Sequence, residues 1–170
     1  MSIKILVPVD GSRNSNFVVP RVVQEFQRNP ALEIHLLNVQ PRFPANIACF
    51  ASKKNREAFH RARAGKSLLP ITTALDGFQV PYSLHVAVGD EGVAIARTAH
   101  RLGCDHIVMG TARKNPLTRL VENSVTNKVL ERTTVPVEVI AGDAESRWEC
   151  YGIPAALSAL LTLLLVATAD

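Results

Sequence analysis

Residues 3–12 read Ile3-Lys-Ile-Leu-Val-Pro-Val-Asp-Gly-Ser12, and this stretch decides the fold. A strand with one wet face alternates apolar and polar residues, whereas a strand covered on both faces reads as a short, nearly continuous apolar run. Ile3 to Val9 is of the second kind. Asp10-Gly11-Ser12 stops it with turn and helix-cap chemistry. Helical spacing follows from about Ser15 to Arg28, with Phe17, Val18, Val22 and Phe26 on one side. Pro20 falls inside that pattern and removes a backbone bond, which predicts a late start or a kink.

The same alternation repeats down the chain. Leu32 to Val39 predicts a second strand, stopped by Pro41. Ser52 to Leu75 is helical in pattern and interrupted by Pro70. Gln79 to Val88 predicts a third strand. Asp90 then caps a helix carrying Ile95, Ala96, Ala99 and Leu102 at helical spacing, closed by Gly103. Asp105 to Gly110 is the fourth strand, and Leu117, Val121, Val125 and Val129 form the stripe of the helix after it. Val135 to Ala141 is the fifth. Strands alternating with helices, without hairpin signals, define an α/β fold: an open five-stranded parallel sheet with helices on both faces, Rossmann-like in architecture. Ligands of such sheets lie at the carboxyl ends of the strands, where the strand order reverses. The loops after Val9 and Met109 are therefore the ones that matter.

The composition agrees with one aliphatic globular domain: 170 residues, 47% hydrophobic and only 5% aromatic. A net charge of +4 is too small to argue for nucleic acid, and none is expected as a partner. Cys49, Cys104 and Cys150 are far apart and form no Cys-x-x-Cys pair, which favours a reducing cytosol. The first ten residues do not read as a signal peptide.

Several motifs are excluded by their spacing. Ala64-Gly-Lys-Ser67 resembles the end of a P-loop, but His60 stands where that motif needs glycine. No Gly-x-Gly-x-x-Gly and no Gly-x-Ser-x-Gly occurs. Lys53, Lys54, Arg56, Arg61, Arg63 and Lys66 read as a solvated helix face. His35 and His85 become neighbours if the second and third strands pair. Two histidines with no third ligand make a weak metal signal, so a structural role is expected and no metal residue is assigned. No catalytic residue is assigned either.

Taken together, certain blocks resemble the universal stress protein family. They are Ile3-Lys-Ile-Leu-Val-Pro-Val-Asp-Gly-Ser12, Gly89-Asp-Glu-Gly-Val-Ala-Ile95, Cys104-Asp-His-Ile-Val-Met-Gly-Thr111, Asn123-Ser-Val-Thr-Asn-Lys-Val-Leu130 and Val135-Pro-Val-Glu-Val139. The resemblance covers about residues 2–142. It implies the adenine nucleotide alpha hydrolase-like sheet, a homodimer through the last strand (residues 136–141), and a role in stress survival rather than a defined reaction. Some members of that family bind ATP through Gly-x-x-Gly, nine residues, then Gly and Ser or Thr. By that resemblance the candidate cofactor-binding residues are Asp10, Val39, Gly110, Thr111, Arg113, Asn123, Ser124 and Val125. Asp10 and Val39 stand at positions that face base and sugar, while Gly110 and Ser124 open and close the phosphate loop.

Two glycines of that loop are missing. Arg113 replaces the second and Asn123 the third. Asparagine is the best non-glycine residue for left-handed backbone, so Asn123 is a mild change. Arg113 is the harsher one, because its β-carbon and stem fill space where backbone N–H groups approach phosphate. Turned inward, its guanidinium would instead pair with phosphate, alongside Lys114 and Arg119. The expectation is a non-enzymatic stress-response regulatory or interaction module with a degenerate nucleotide loop. The alternatives are an ATP- or AMP-binding sensor, with at most weak hydrolysis and magnesium accompanying the nucleotide, and a membrane-associated adaptor for a transporter or channel.

The last alternative comes from the tail. After a domain over residues 1–142 and a linker over 143–152, residues 153–169 carry no charge at all. Such a stretch just reaches the ~17–25 residues of a membrane span. Trp148 and Tyr151 precede it, where interfacial aromatics sit. The tail is expected to be an apolar helix over residues 153–170, buried in a membrane, a partner or its own domain. The chain is expected in the cytoplasm, with membrane association through this tail as the alternative.

Overall fold

The computed structural model describes residues 2–44, 52–111 and 125–141. Its elements, in chain order, are β1 (Lys4–Pro8), α1 (Arg13–Asn16), α2 (Val19–Arg28), β2 (Glu33–Gln40), α3 (Lys53–Gly77), β3 (Ser83–Val88), α4 (Glu91–Leu102), β4 (His106–Thr111), α5 (Val125–Leu130) and β5 (Val137–Ala141). The five strands form one sheet in the order β3-β2-β1-β4-β5. Every pairing is parallel.

The apolar run of β1 has the reason expected of it. Ile5 and Val7 point into a core shared with Val22, Leu68, Ile71 and Leu75 of α2 and α3. Leu6, between them, points to the opposite face and packs with Ile95, Ala99 and Val129 of α4 and α5. β1 is therefore buried on both sides, and alternate residues serve two separate cores.

The prolines act differently at each site. Pro20 splits the first helical pattern into α1 and α2. It sits in the first turn of α2, where its missing N–H has no partner to lose. The interruption expected at Pro70 does not occur: α3 runs through it from Lys53 to Gly77. Pro70 lies on the exposed side of α3, between the buried Leu68 and Ile71, so water can replace the backbone bond it cannot make. β3 is shorter than its sequence pattern. Gln79 adopts φ 55 at the turn after α3. The Val80 N–H then bonds back to the Leu75 carbonyl at 3.0 Å, so regular pairing starts only at Ser83. The Asp90 cap and the Gly103 terminus of α4 are both present, with the Asp90 carboxylate accepting from the Val93 N–H at 3.0 Å.

Leu117 and Val121 of the expected helical stripe, and the apolar segment 153–169, lie outside the described residues. Among the described residues no helix is long and apolar enough to cross a membrane.

Candidate functional site

The strand order sets the place of the site. The chain moves from β1 outward to β2 and β3, then returns to lay β4 on the other side of β1. Connections after β1 and β4 consequently leave toward opposite faces, and a crevice opens between their carboxyl ends. A cleft of about 360 Å³ lies there, and Asp10, Val39, Gly110, Thr111 and Val125 all line it. Five of the residues singled out in the sequence thus come together. Arg113, Asn123 and Ser124 lie outside the described residues.

Asp10 is held firmly. Its Oδ1 accepts the Ser12 N–H at 2.8 Å and the Ser15 hydroxyl, while its own N–H donates to Ser15 Oγ at 3.2 Å. Burial alone would raise its pKa. The donors from Ser15 and Ser12 outweigh burial and hold the carboxyl below the usual aspartate value. Gly11 makes this turn feasible: its φ is +82°, and a β-carbon there would approach the Ser67 backbone to 3.0 Å.

Val39 contributes its main chain. In a parallel ladder, alternate residues of a strand bond to opposite neighbours. Glu33 donates to the Ile3 carbonyl and Leu37 accepts from the Val9 N–H, both at 2.8 Å, so odd residues of β2 face β1. Gln40 accepts from the Gly89 N–H at 2.9 Å, so even residues face β3. Val39 is odd but lies past the end of β1. Its N–H and C=O therefore turn toward the cleft. The Val9 carbonyl, the next rung in that direction, accepts Asn38 Nδ2 at 2.7 Å.

Gly110 has a reason of its own. A β-carbon on it would lie 1.9 Å from the Asn14 carbonyl oxygen of α1. The surviving glycine of the loop is required by the packing of α1 on β4, whatever occupies the cleft.

The sequence reading missed Ser12, Asn14, Ser15 and Glu91, which also line the cleft. Asp90 signalled the start of α4, and hence where Glu91 would stand. For Ser15 no sequence signal separates it from an ordinary helix residue. The cleft continues into a second, more polar pocket of about 420 Å³, which shares Asp10, Val39 and Glu91 with it.

His35 and His85 do meet: His85 Nε2 lies 3.2 Å from His35 Nδ1 across β2 and β3. Elsewhere Glu25, His106 and Glu138 bring ligand-type atoms within 4.8 Å of one another. Arg21 already occupies that cluster, with Nε 2.6 Å from Glu138 Oε1 and one terminal nitrogen 3.2 Å from Glu25 Oε2. It is an ion-pair brace between α2 and the sheet.

A doubly wound parallel sheet with a polar-walled cleft at its switch point defines a Rossmann-like α/β protein. The Universal stress protein family matches residues 1–141, and the chain belongs to that family. No protein with a curated description matches it. Solved structures with the same fold include the universal stress protein UspA from Lactobacillus plantarum. It is 21% identical with a TM-score of 0.62, the match covering 81% of this chain and 97% of that one. A universal stress protein family protein from Arabidopsis thaliana with AMP bound is 18% identical with a TM-score of 0.60, covering 84% and 94%. The universal stress protein from Archaeoglobus fulgidus in complex with dAMP is 13% identical with a TM-score of 0.57, covering 82% and 98%.

Proposed function

We propose that this chain is a regulatory module of its family that responds to an adenine nucleotide, holding it chiefly by base and sugar and performing no chemistry on it. The observation that carries this reading is the convergence of Asp10, Val39, Gly110, Thr111 and Val125 on one cleft at the switch point. The outward N–H and C=O of Val39 complement the edge of adenine, which presents a ring acceptor beside an amino donor. Asp10, kept ionised by its serine donors, is an acceptor suited to a ribose hydroxyl. The AMP and dAMP held by the Arabidopsis and Archaeoglobus proteins support the same ligand class.

The phosphate half is the weaker half. With Arg113 and Asn123 in glycine positions, close backbone approach to a polyphosphate is disfavoured. A monophosphate asks least of that loop.

Calorimetric titration with AMP, ADP and ATP tests the reading. AMP is expected to bind at least as tightly as ATP, and Asp10→Ala to weaken it about tenfold, roughly 1.4 kcal/mol. Arg113→Gly with Asn123→Gly is expected to favour ATP. Absence of binding by all three nucleotides would sink the proposal. Dimerisation through β5 belongs to the same proposal: β5 is an edge strand whose Val139 is 41% exposed. Sedimentation of the protein should then give a dimer that Val139→Lys dissociates.

A further inference from the structure

The cations of α3 are confined to one half of it. Residues 53–66 hold six, at Lys53, Lys54, Arg56, Arg61, Arg63 and Lys66, against one carboxylate, Glu57. Residues 67–77 hold none. Glu57 does little to offset them: its Oε1 is 4.0 Å from Lys53 Nζ, and both side chains are more than half exposed. By sequence alone such a run is a solvated face. Its placement in the fold says more.

α3 connects β2 to β3, which are parallel neighbours, so it starts from the carboxyl edge of the sheet and runs back. Ser67 marks where it meets that edge. A β-carbon on Gly11, just past the end of β1, would lie 3.0 Å from the Ser67 backbone. Residues 53–66 therefore reach beyond the edge, by up to about 20 Å at ~1.5 Å per residue. No residue from Lys53 to Phe59 is buried. Phe59 is 50% exposed, its ring centroid 5.2 Å from that of Phe43, which follows β2.

The same edge is where β5 stops, at Ala141. The chain that leaves it carries the uncharged residues 153–169. One edge of the molecule thus holds a projecting basic helix, a half-exposed phenylalanine and the root of an apolar segment.

We infer that this edge is a membrane-docking surface: the cations of α3 lie against the headgroups of an anionic lipid bilayer, and residues 153–169 supply the apolar anchor beside them. A single modest apolar anchor holds a membrane weakly and reversibly, whereas one anchor joined to a polybasic patch holds it stably. Each Lys or Arg at an anionic surface strengthens attachment about fivefold. The two parts must lie on one side of the protein, and the parallel sheet puts them there. Nucleic acid is the other polyanion a basic face could meet, but it gives the apolar segment nothing to enter. The inference does not depend on what the cleft holds.

The test is co-sedimentation of the full-length protein with vesicles of phosphatidylcholine alone and of phosphatidylcholine mixed with phosphatidylglycerol. The wild type should bind the mixed vesicles about a hundredfold more tightly, and most of that preference should vanish at high salt, a readout that needs no variant. Lys53, Lys54 and Arg61 are all exposed. Lys53→Gln with Lys54→Gln and Arg61→Gln should weaken binding to mixed vesicles about a hundredfold, fivefold for each charge, with melting temperature and binding to neutral vesicles unchanged. Equal binding of the wild type to both vesicles, or a triple variant that keeps the full preference, would leave anchoring to the apolar segment alone and overturn the inference. Failure to bind either vesicle would overturn it as well. So would capture of a mixed-sequence RNA oligonucleotide in preference to the mixed vesicles, which would assign the basic face to nucleic acid.

Discussion

The Arg21 guanidinium forks onto the Glu138 carboxylate, Nε to Oε1 at 2.6 Å and a terminal nitrogen to Oε2 at 3.1 Å, tying α2 to the edge strand β5. Bidentate geometry of this kind is the strong form of a charge-assisted bond. About a third of each side chain is exposed, however, at 31% and 34%, so solvent screening reduces its value. Arg21→Ala is expected to cost about 1 kcal/mol in urea unfolding, a fall of roughly 2–4 °C in melting temperature. A double-mutant cycle with Glu138→Gln should show coupling that shrinks at high salt. Additive effects would mean that the fork contributes no net stability.

Gly110→Ala separates packing from ligand binding. With the added β-carbon 1.9 Å from the Asn14 carbonyl oxygen, α1 must move away from β4. The expected loss is on the order of 3 kcal/mol in nucleotide-free protein, measured by urea unfolding. A variant as stable as the wild type, but defective in AMP binding, would show that the glycine serves the ligand instead.

The contrast between these residues shows what a sequence discloses. The two-faced burial of β1 was legible because Ile5, Leu6 and Val7 are all apolar, and only a strand between two layers needs that. The Asp90 cap and the Gly103 terminus were legible because their chemistry is local. Asp10, Val39 and Gly110 were placed by family resemblance at strand ends, and the strand order brings them to one cleft. The approach of Asn14 to Gly110 was not legible, since it depends on two segments far apart in sequence. The same holds for the orientation of the Asn38 amide, which is set by the Val9 carbonyl just past the end of β1. Pro70 misled because proline breaks helices through a missing bond, and its cost depends on which side of the helix faces water.

That cost can be measured directly. Pro70 sits mid-helix on the exposed side of α3, so replacing it changes backbone bonding without removing core packing. Alanine restores the N–H and has the higher helix propensity, worth ~3 kcal/mol in an unconstrained helix. Proline's stiffening of the unfolded chain offsets part of this, by ~0.4–1 kcal/mol. Pro70→Ala is therefore expected to stabilise by about 2–2.5 kcal/mol in chemical unfolding. A destabilised variant would mean that the fixed backbone of Pro70 is needed to seat Leu68 and Ile71 in the core.

The histidine pair makes stability depend on pH in a definite direction. Burial lowers the pKa of His35, opposed by Glu33 and assisted by Lys4. Burial also lowers that of His85, assisted by the positive charges of His35 and Arg101. Both folded values therefore lie below the unfolded value of ~6.5. Above pH ~6.5 both rings are neutral in either state and contribute no pH dependence. As pH falls below that, the unfolded chain takes up protons that the folded protein resists, so stability declines until the folded rings also titrate. A second proton between His85 Nε2 and His35 Nδ1, 3.2 Å apart, would set donor against donor, which adds to the resistance. Urea unfolding between pH 7.5 and 5 should show this decline, and His85→Leu should flatten part of it. A stability that is level or rising toward pH 5 in the wild type would show that the pair is not held neutral.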